Sequence, residues 1–211
     1  MQKENMSYFD ELASNYDTLP GLVNEKRNIG NSIIKEASLA TDWDIMDYGC
    51  GTGLLSLYLL PHVQSVTGAD SSEQMLDEFQ KKIDSNKIES IKTVKLDLSI
   101  DPIPKERYHA IVISMALHHV ANTEKLISQF HQMLHPQGVL CIADLDTEPG
   151  TFHSEASPAF HNGFDRKDLI NQVNNIGFCN TKATLAANLN KQDSDDVKRD
   201  YPIFLITGRK S

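Results

Sequence analysis

From residue 44 onward, short apolar runs alternate with segments whose apolar residues recur at three- and four-residue spacing. The runs at 44–48, 65–69, 91–96, 109–114, 139–143 and 203–207 read as strands, and residues 53–60, 72–83, 123–134 and 166–176 between them read as helices. The alternation predicts right-handed βαβ crossovers and a mainly parallel, doubly wound α/β sheet with helices on both faces. Helix starts carry their own signals. Ser71 with Gln74 three residues on predicts a capping box, and Asn122 is placed to accept the orphan N–H groups of the next helix, whose Glu124 suits its positive end. Asp165 is a further N-cap, with Phe164 and Leu169 forming a hydrophobic staple, and Gly177 supplies a left-handed stop.

Residues 1–43 differ. One helix is expected over 22–40, weakened by Gly30, Asn24, Asn28 and Asn31, and a short amphipathic one over 6–16 with Phe9, Leu12 and Tyr16 near one face. This stretch is too small and polar for a core of its own, so residues 1–211 read as a single domain in which 1–43 form a cap or lid on a core at 44–211.

Composition narrows the classes. A chain of 211 residues buries enough surface to fold without disulfides or metal, and 40% hydrophobic with 23% charged residues is ordinary for a globular protein. Twenty Lys and Arg against 29 Asp and Glu give a net charge of −9, which disfavours a nucleic-acid partner. The longest apolar runs, such as 110–117, are far short of a membrane span, the start lacks an apolar signal core, and three sparse cysteines read as reduced, so a cytoplasmic location is expected.

Candidate chemistry begins at residues 47–53, DYGCGTG, a glycine-rich turn between a strand and a helix. Glycines there let the backbone approach a ligand closely, and the helix start offers free N–H groups and a positive dipole end. Asp70 closes the next strand, where a carboxylate accepts hydrogen bonds from both ribose hydroxyls of a nucleotide. Two cofactor classes share this geometry. A nicotinamide fingerprint G-x-G-x-x-G requires a third glycine where Leu54 stands, which disfavours an NAD(P)-dependent oxidoreductase.

The segment DYGCGTG with Asp70 resembles motifs I and II of class I S-adenosylmethionine-dependent methyltransferases. The likeness continues through Lys95-Leu96-Asp97-Leu98, residues 110–120 (AIVISMALHHV) and residues 134–143 (LHPQGVLCIA), and YFDELASNYD is similar to the F-D-x-x-A-x-x-Y-D opening of small-molecule members, including those of ubiquinone and menaquinone biosynthesis. The resemblance implies a seven-stranded Rossmann-like sheet of order 3-2-1-4-5-7-6 with strand 7 antiparallel. Residues 201–208 would supply that strand, with Pro202 at its first ladder position. It also implies S-adenosyl-L-methionine as cofactor, S-adenosyl-L-homocysteine as product, and a set of contacts. Asp47 would orient the loop and the amino-acid end of the cofactor. Gly49, Cys50, Gly51 and Gly53 would form the cradle, and Asp70 with Ser71 would hold the ribose. Asp97 would accept from the adenine amino group with Leu98 against the ring. Ser114, Met115 and Ala116 would line the methionine portion, and Tyr8, Phe9 and Tyr16 would lie over the cofactor as a mobile lid.

Methyl transfer is an in-line displacement for which positioning is worth about 7–11 kcal/mol, and only acceptors that lose a proton need a base. His118 and His119 in the strand-4 loop, and His153 and His161 in the long 144–165 connection, are the candidates. Asp144, Asp146, Glu148 and His153 are metal-type ligands but lack ordered spacing, so no metal is expected. Many nucleic-acid amino-methyltransferases carry an N-P-P-Y-type tetrapeptide where Ser114-Met115-Ala116-Leu117 stand. The expectation is therefore methyl transfer to a small-molecule acceptor by a monomer or homodimer. The rivals are the oxidoreductase and a non-catalytic S-adenosylmethionine-binding regulatory or partner protein.

Overall fold

The computed structural model describes residues 3–153, 159–192 and 197–211, with side chains from Tyr8 onward. Helix α1 (Lys3–Leu12), a 3₁₀ turn (Ala13–Thr18) and α2 (Leu22–Ala37) precede β1 (Asp44–Tyr48), α3 (Leu54–Leu59), β2 (Ser65–Asp70), α4 (Glu73–Ser85), β3 (Ile91–Lys95) and β4 (Tyr108–Ser114). A 3₁₀ turn (Leu117–His119), α5 (Thr123–Met133), β5 (Leu134–Leu145), α6 (Arg166–Ile176), β6 (Phe178–Gln192) and β7 (Lys198–Lys210) complete the chain. The strands form one seven-stranded sheet in the order β3-β2-β1-β4-β5-β7-β6. β7 runs antiparallel to both its neighbours, and the pairs among β1–β5 are parallel.

Alternation along the central strands divides the core. Ala110, Val112, Cys141 and Ala143 face α2, α3 and α4 with Ile29, Ile33, Leu59 and Phe79, whereas Ile111, Ile113, Leu140 and Ile142 face α5 and α6 with Phe130 and Val173. A strand covered on both faces must be apolar at every position, which is why these runs read as continuous rather than alternating. β1 and β4 are adjacent, with Tyr48 opposite Ile113 on one side and Ala69 on the other. The chain's winding direction reverses between them, and the crevice at their carboxyl ends is where such sheets bind ligands.

Several sequence expectations change. α4 is capped by Ser72, not Ser71: the Ser72 hydroxyl accepts from the Met75 N–H at 3.1 Å. Asn122 and Asp165 cap α5 and α6, and Gly177 ends α6 at φ 116°. α2 is not a loose cap, because Ile29, Ile33 and Ala37 are buried in the main core, so the 43/44 division runs through a packed layer. Gly30 does not weaken it: the Tyr58 ring of α3 packs where a Gly30 side chain would stand. Pro202 is not the first residue of its strand, since β7 starts at Lys198 and pairs Pro202 with Asn188 of β6. Its carbonyl accepts from the Asp146 N–H on the β5 side, and the β5 ladder starts only at Ile203, so the missing Pro202 N–H falls where no strand needs it. Among the described residues no helix is long and apolar enough to cross a membrane.

Candidate active site

The glycine loop leaves β1 and turns into α3 with Gly49, Gly51 and Gly53 all at positive φ. Two of these positions play different parts. A side chain on Gly53 would strike the Phe79 ring at 2.1 Å, so this glycine lets α3 and α4 pack. A side chain on Gly51 would meet nothing nearer than Met75 at 3.9 Å and Tyr16 at 4.0 Å, and would project into the cavity those residues line. The space beside Gly51 suits a ligand that touches backbone.

Asp70 fixes the loop from the end of β2. Its carboxylate accepts from the Gly51 N–H at 2.8 Å and the Ser72 N–H at 2.9 Å. Burial pushes its pKa above the ordinary value, with the Ser72 and Gly51 bonds opposing that. An ionised carboxylate has about four acceptor sites, so capacity remains toward the cavity it lines. That cavity, about 390 Å³, is bounded by Gly49, Asp70, Ser71, Asp97, Leu98 and Ala116. Asp97 is locked in a turn, accepting from the Ser99 N–H and hydroxyl. The Leu98 N–H donates to the Tyr48 hydroxyl, and the buried Leu98 side chain forms the wall.

A second, smaller cavity of about 70 Å³ continues past the loop between Gly49, Cys50, Gly51, Ser114, Met115 and His119. The Ser114 hydroxyl is buried there without a hydrogen-bond partner, an orphaned polar atom that a ligand amine or carboxylate would satisfy. Met115 adopts φ 55°, a left-handed conformation costly for a residue with a side chain, and stands between this cavity and the next. Asp47 lies beneath the loop and borders neither cavity. It accepts from the Ser56 hydroxyl at 2.6 Å, and burial raises its pKa to about 6.

Sequence reasoning missed Lys26. It lines the small cavity from α2, paired with Glu25 at 3.3 Å. Burial opposes its charge, but Glu25, Tyr16 and Asp47 outweigh burial and keep the ammonium protonated. The signal was present: Leu22, Glu25, Lys26, Ile29 and Ile33 share one buried face of α2, and a charged pair interrupting an apolar stripe has a reason to be there.

The third cavity, about 560 Å³, opens between the N-terminal helices and β6. Tyr8, Phe9, Leu12, Tyr16, His119 and Phe152 are part of its wall, with His118, His153 and Lys191. Phe9, Tyr16, Met115 and His119 border both this cavity and the small one, whereas Tyr8 borders only this one. The N-terminal segment is docked over the loop: the Ser72 hydroxyl donates to Asp10 at 2.5 Å, Thr52 donates to Asp17 at 2.5 Å, and Asp17 pairs with Lys82.

The histidines divide. His118 Nδ1 lies 2.6 Å from Asp144 Oδ1, with both side chains buried. The His119 ring lies 4.2 Å from that of His118 and 5.0 Å from that of His153, and meets Phe9 edge-on at 5.3 Å. Burial, then the positive ends of His118 and Lys191, push the His153 pKa down to about 3. His161 is not part of this group. Its Nε2 meets the Val120 carbonyl at 3.0 Å, and it borders none of the three cavities. Two of the acids near His153 in sequence are engaged elsewhere: Asp146 takes the Arg166 guanidinium, and Glu148 accepts from the N–H groups of Gly150, Thr151 and Phe152. Residues 154–158 of this connection lie outside the described residues.

Comparison with known proteins agrees with this geometry. Residues 45–138 match a family described as a methyltransferase domain. An uncharacterized methyltransferase of Schizosaccharomyces pombe is 29% identical over 161 residues, covering 69% of this chain and 57% of that protein. The demethylmenaquinone methyltransferase of Symbiobacterium thermophilum is 25% identical over 136 residues, covering 62% of this chain and 54% of that protein. The chain thus spans little more than half the length of these two relatives. Among solved structures, a DhpI–SAH complex superposes with a TM-score of 0.73 at 16% identity, over 99% of this chain and 95% of that one. Residues 45–138 thus match a methyltransferase domain, and over the whole fold the chain is similar to S-adenosylmethionine-dependent methyltransferases. Two similar structures, of a Haemonchus contortus phosphoethanolamine N-methyltransferase, hold S-adenosylmethionine or S-adenosylhomocysteine, and the antiparallel seventh strand sets this sheet apart from the six-stranded dinucleotide-binding order.

Proposed function

We propose that the protein transfers the methyl group of S-adenosylmethionine to a small organic acceptor held in the 560 Å³ cavity. The observation that carries this reading is the shared wall: Phe9, Tyr16, Met115 and His119 border both the small cavity beside the glycine loop and the larger one. In this reading the 390 Å³ cavity beside Asp70 takes the nucleoside, and the 70 Å³ cavity takes the methionine end, where Lys26 faces the carboxylate and Ser114 the amino group. When bound, the cofactor supplies an electrophilic methyl carbon on a sulfonium.

The chain then does three things. Asp70 and the Gly51 N–H fix the loop, so that ligand and cavity wall keep one register. The docked N-terminal segment closes the reaction space, and excluding water favours displacement by a weak nucleophile over hydrolysis. Aromatic and aliphatic walls at Phe9, Leu12, Leu22 and Phe152 hold an apolar acceptor body, with Asn188, Asn190 and Lys191 at its rim. An acceptor that must lose a proton meets His119, His118 and His153.

The net charge of −9 and a lidded cavity of this size favour a metabolite over a nucleic acid. Three free cysteines fit a cytoplasmic protein. The test is transfer of labelled methyl from S-adenosylmethionine to fractionated small-molecule extracts, followed by mass spectrometry of the labelled product. Cofactor binding with no label in any small-molecule fraction, and label instead in protein or RNA, would reject the acceptor class.

A further inference from the structure

Three imidazoles meet at the inner end of the acceptor cavity. One ring nitrogen from each of His118, His119 and His153 lies within 4.8 Å of the other two. They come from a 3₁₀ turn after β4 and from the connection after β5, so sequence spacing gives no hint of the set. Neutral imidazole is the ligand type that zinc and its neighbours in the first transition row favour.

Three features distinguish this cluster from histidines packed together by chance. The first is the support behind His118. Asp144 is fully engaged: Oδ1 meets His118 Nδ1 and accepts from the Leu145 N–H, while Oδ2 accepts from the N–H groups of Leu117 and His118. A carboxylate that is only an acceptor takes the Nδ1 hydrogen, which leaves Nε2 as the ring nitrogen turned to a ligand. A carboxylate behind a histidine is the usual outer partner of a metal ligand. The second is His153, whose Nε2 is buried without a hydrogen-bond partner. A buried polar atom of that kind needs an explanation, and a bound cation supplies one. The third is position: all three rings border the 560 Å³ cavity, so a fourth coordination site would face the acceptor. Three protein ligands with an open fourth position mark a catalytic rather than a structural zinc site.

We propose that His118, His119 and His153 bind one divalent transition metal of the zinc type, with Asp144 orienting His118 from behind, and that the open position takes an oxygen or sulfur atom of the methyl acceptor. Tetrahedral bonds of about 2.0–2.1 Å separate ligand nitrogens by roughly 3.3 Å, so the set closes on binding, chiefly by rotation of His153 on its loop.

The second half of the proposal rests on the methyl-transfer reading. An acceptor R–OH or R–SH bound to the cation releases its proton to water. The oxygen or sulfur lone pair then forms the new bond to the methyl carbon as the carbon–sulfonium bond breaks, and its electron pair returns to sulfur. The products are the methyl ether or thioether, S-adenosylhomocysteine and one proton.

The experiment uses the full chain stripped with chelator and titrated with Co²⁺, whose visible spectrum reports tetrahedral nitrogen ligation. One equivalent is expected to bind with a strong visible band, and Zn²⁺ should displace it. His153→Ala, a loop variant, is expected to weaken Co²⁺ at least tenfold, and Asp144→Asn by about 10–100-fold. S-adenosylhomocysteine affinity of His153→Ala, measured by calorimetry, shows that the variant is folded. Absence of stoichiometric Co²⁺ binding, or equal binding by wild type and folded His153→Ala, would overturn the metal site. Loss of S-adenosylhomocysteine binding in the wild type would instead remove the methyl-transfer reading. If Co²⁺ and Zn²⁺ bind but methyl transfer to O–H and S–H acceptors is the same in stripped and loaded enzyme, the acceptor role is wrong.

Discussion

His118 Nδ1 stands 2.6 Å from Asp144 Oδ1, and both side chains are sealed from solvent. Burial alone would raise the Asp144 carboxyl, but His118 and the N–H groups of Leu145 and His118 outweigh it and hold its pKa below the usual carboxylate range. A carboxylate with a depressed folded-state pKa stabilises the fold above its unfolded value, and that stability is lost as pH falls through the folded value. Asp144→Asn sets an amide NH₂ against at least one N–H donor and is expected to cost about 1–3 kcal/mol at neutral pH. The cost should shrink only in stronger acid, as pH falls through the depressed folded-state value and wild-type Asp144 is itself protonated. Chemical denaturation of both proteins across that range checks it.

His153 gives an opposite kind of group the same direction of pH dependence. With its pKa near 3, the folded protein binds fewer protons than the unfolded chain between about pH 6.5 and 3. Stability should therefore decline as pH is lowered through that window in metal-free protein, and the slope should be shallower in His153→Ala. Thermal unfolding at a series of pH values measures it, and equal slopes would show that His153 is not held neutral.

Asp47 works the other way. Its folded pKa of about 6 lies some two units above the ordinary value, so the folded state is favoured below pH ~4 and pays an ionisation cost that grows as pH rises to 6. Two units correspond to roughly 3 kcal/mol. Asp47→Asn keeps an acceptor for the Ser56 hydroxyl and is expected to recover part of that at pH 7, with little gain at pH 4. Denaturant midpoints at the two pH values decide the matter.

Gly51 and Gly53 separate binding from folding. Gly51→Ala places a methyl in the cavity at φ 53° and should lower S-adenosylhomocysteine affinity strongly, at a stability cost of about 1–2 kcal/mol for the left-handed backbone. Gly53→Ala drives a methyl into the Phe79 ring and should be the more destabilising of the two. Calorimetry and melting temperatures on both variants test the contrast, and a reversed order would mean that the loop moves as a unit.

Asp70→Ala removes the acceptor of the Gly51 and Ser72 N–H groups as well as the proposed ribose partner. Affinity for S-adenosylhomocysteine is expected to fall at least tenfold, with a stability loss of about 1–3 kcal/mol from the orphaned donors. Unchanged affinity would place the nucleoside elsewhere.

The amino-acid order alone determined the central architecture. β4 and β5 bury both faces, so their apolar runs at 110–113 and 139–143 are unbroken. The glycine loop with Asp70 was legible for a related reason: close backbone approach and a strand-end carboxylate are local requirements written at fixed spacing. β6 was not legible. It is an edge strand rich in Asn, Lys and Thr, and irregularities between Cys179 and Lys182 and between Leu185 and Ala187 shift the phase of its alternation.

Tertiary structure alone decided the site beyond the loop. His118, His119 and His153 converge only because the connection after β5 folds back over the turn after β4, where the Phe160 and His161 N–H groups both donate to the His118 carbonyl. His161, eight residues beyond His153, is turned away by its bond to Val120. Lys26 reaches the small cavity because α2 packs into the main core rather than standing off as a cap. Local patterning states which residues a strand or turn needs. Which distant side chains share a cavity depends on how elements far apart in the chain pack together, and no spacing in the sequence encodes that packing.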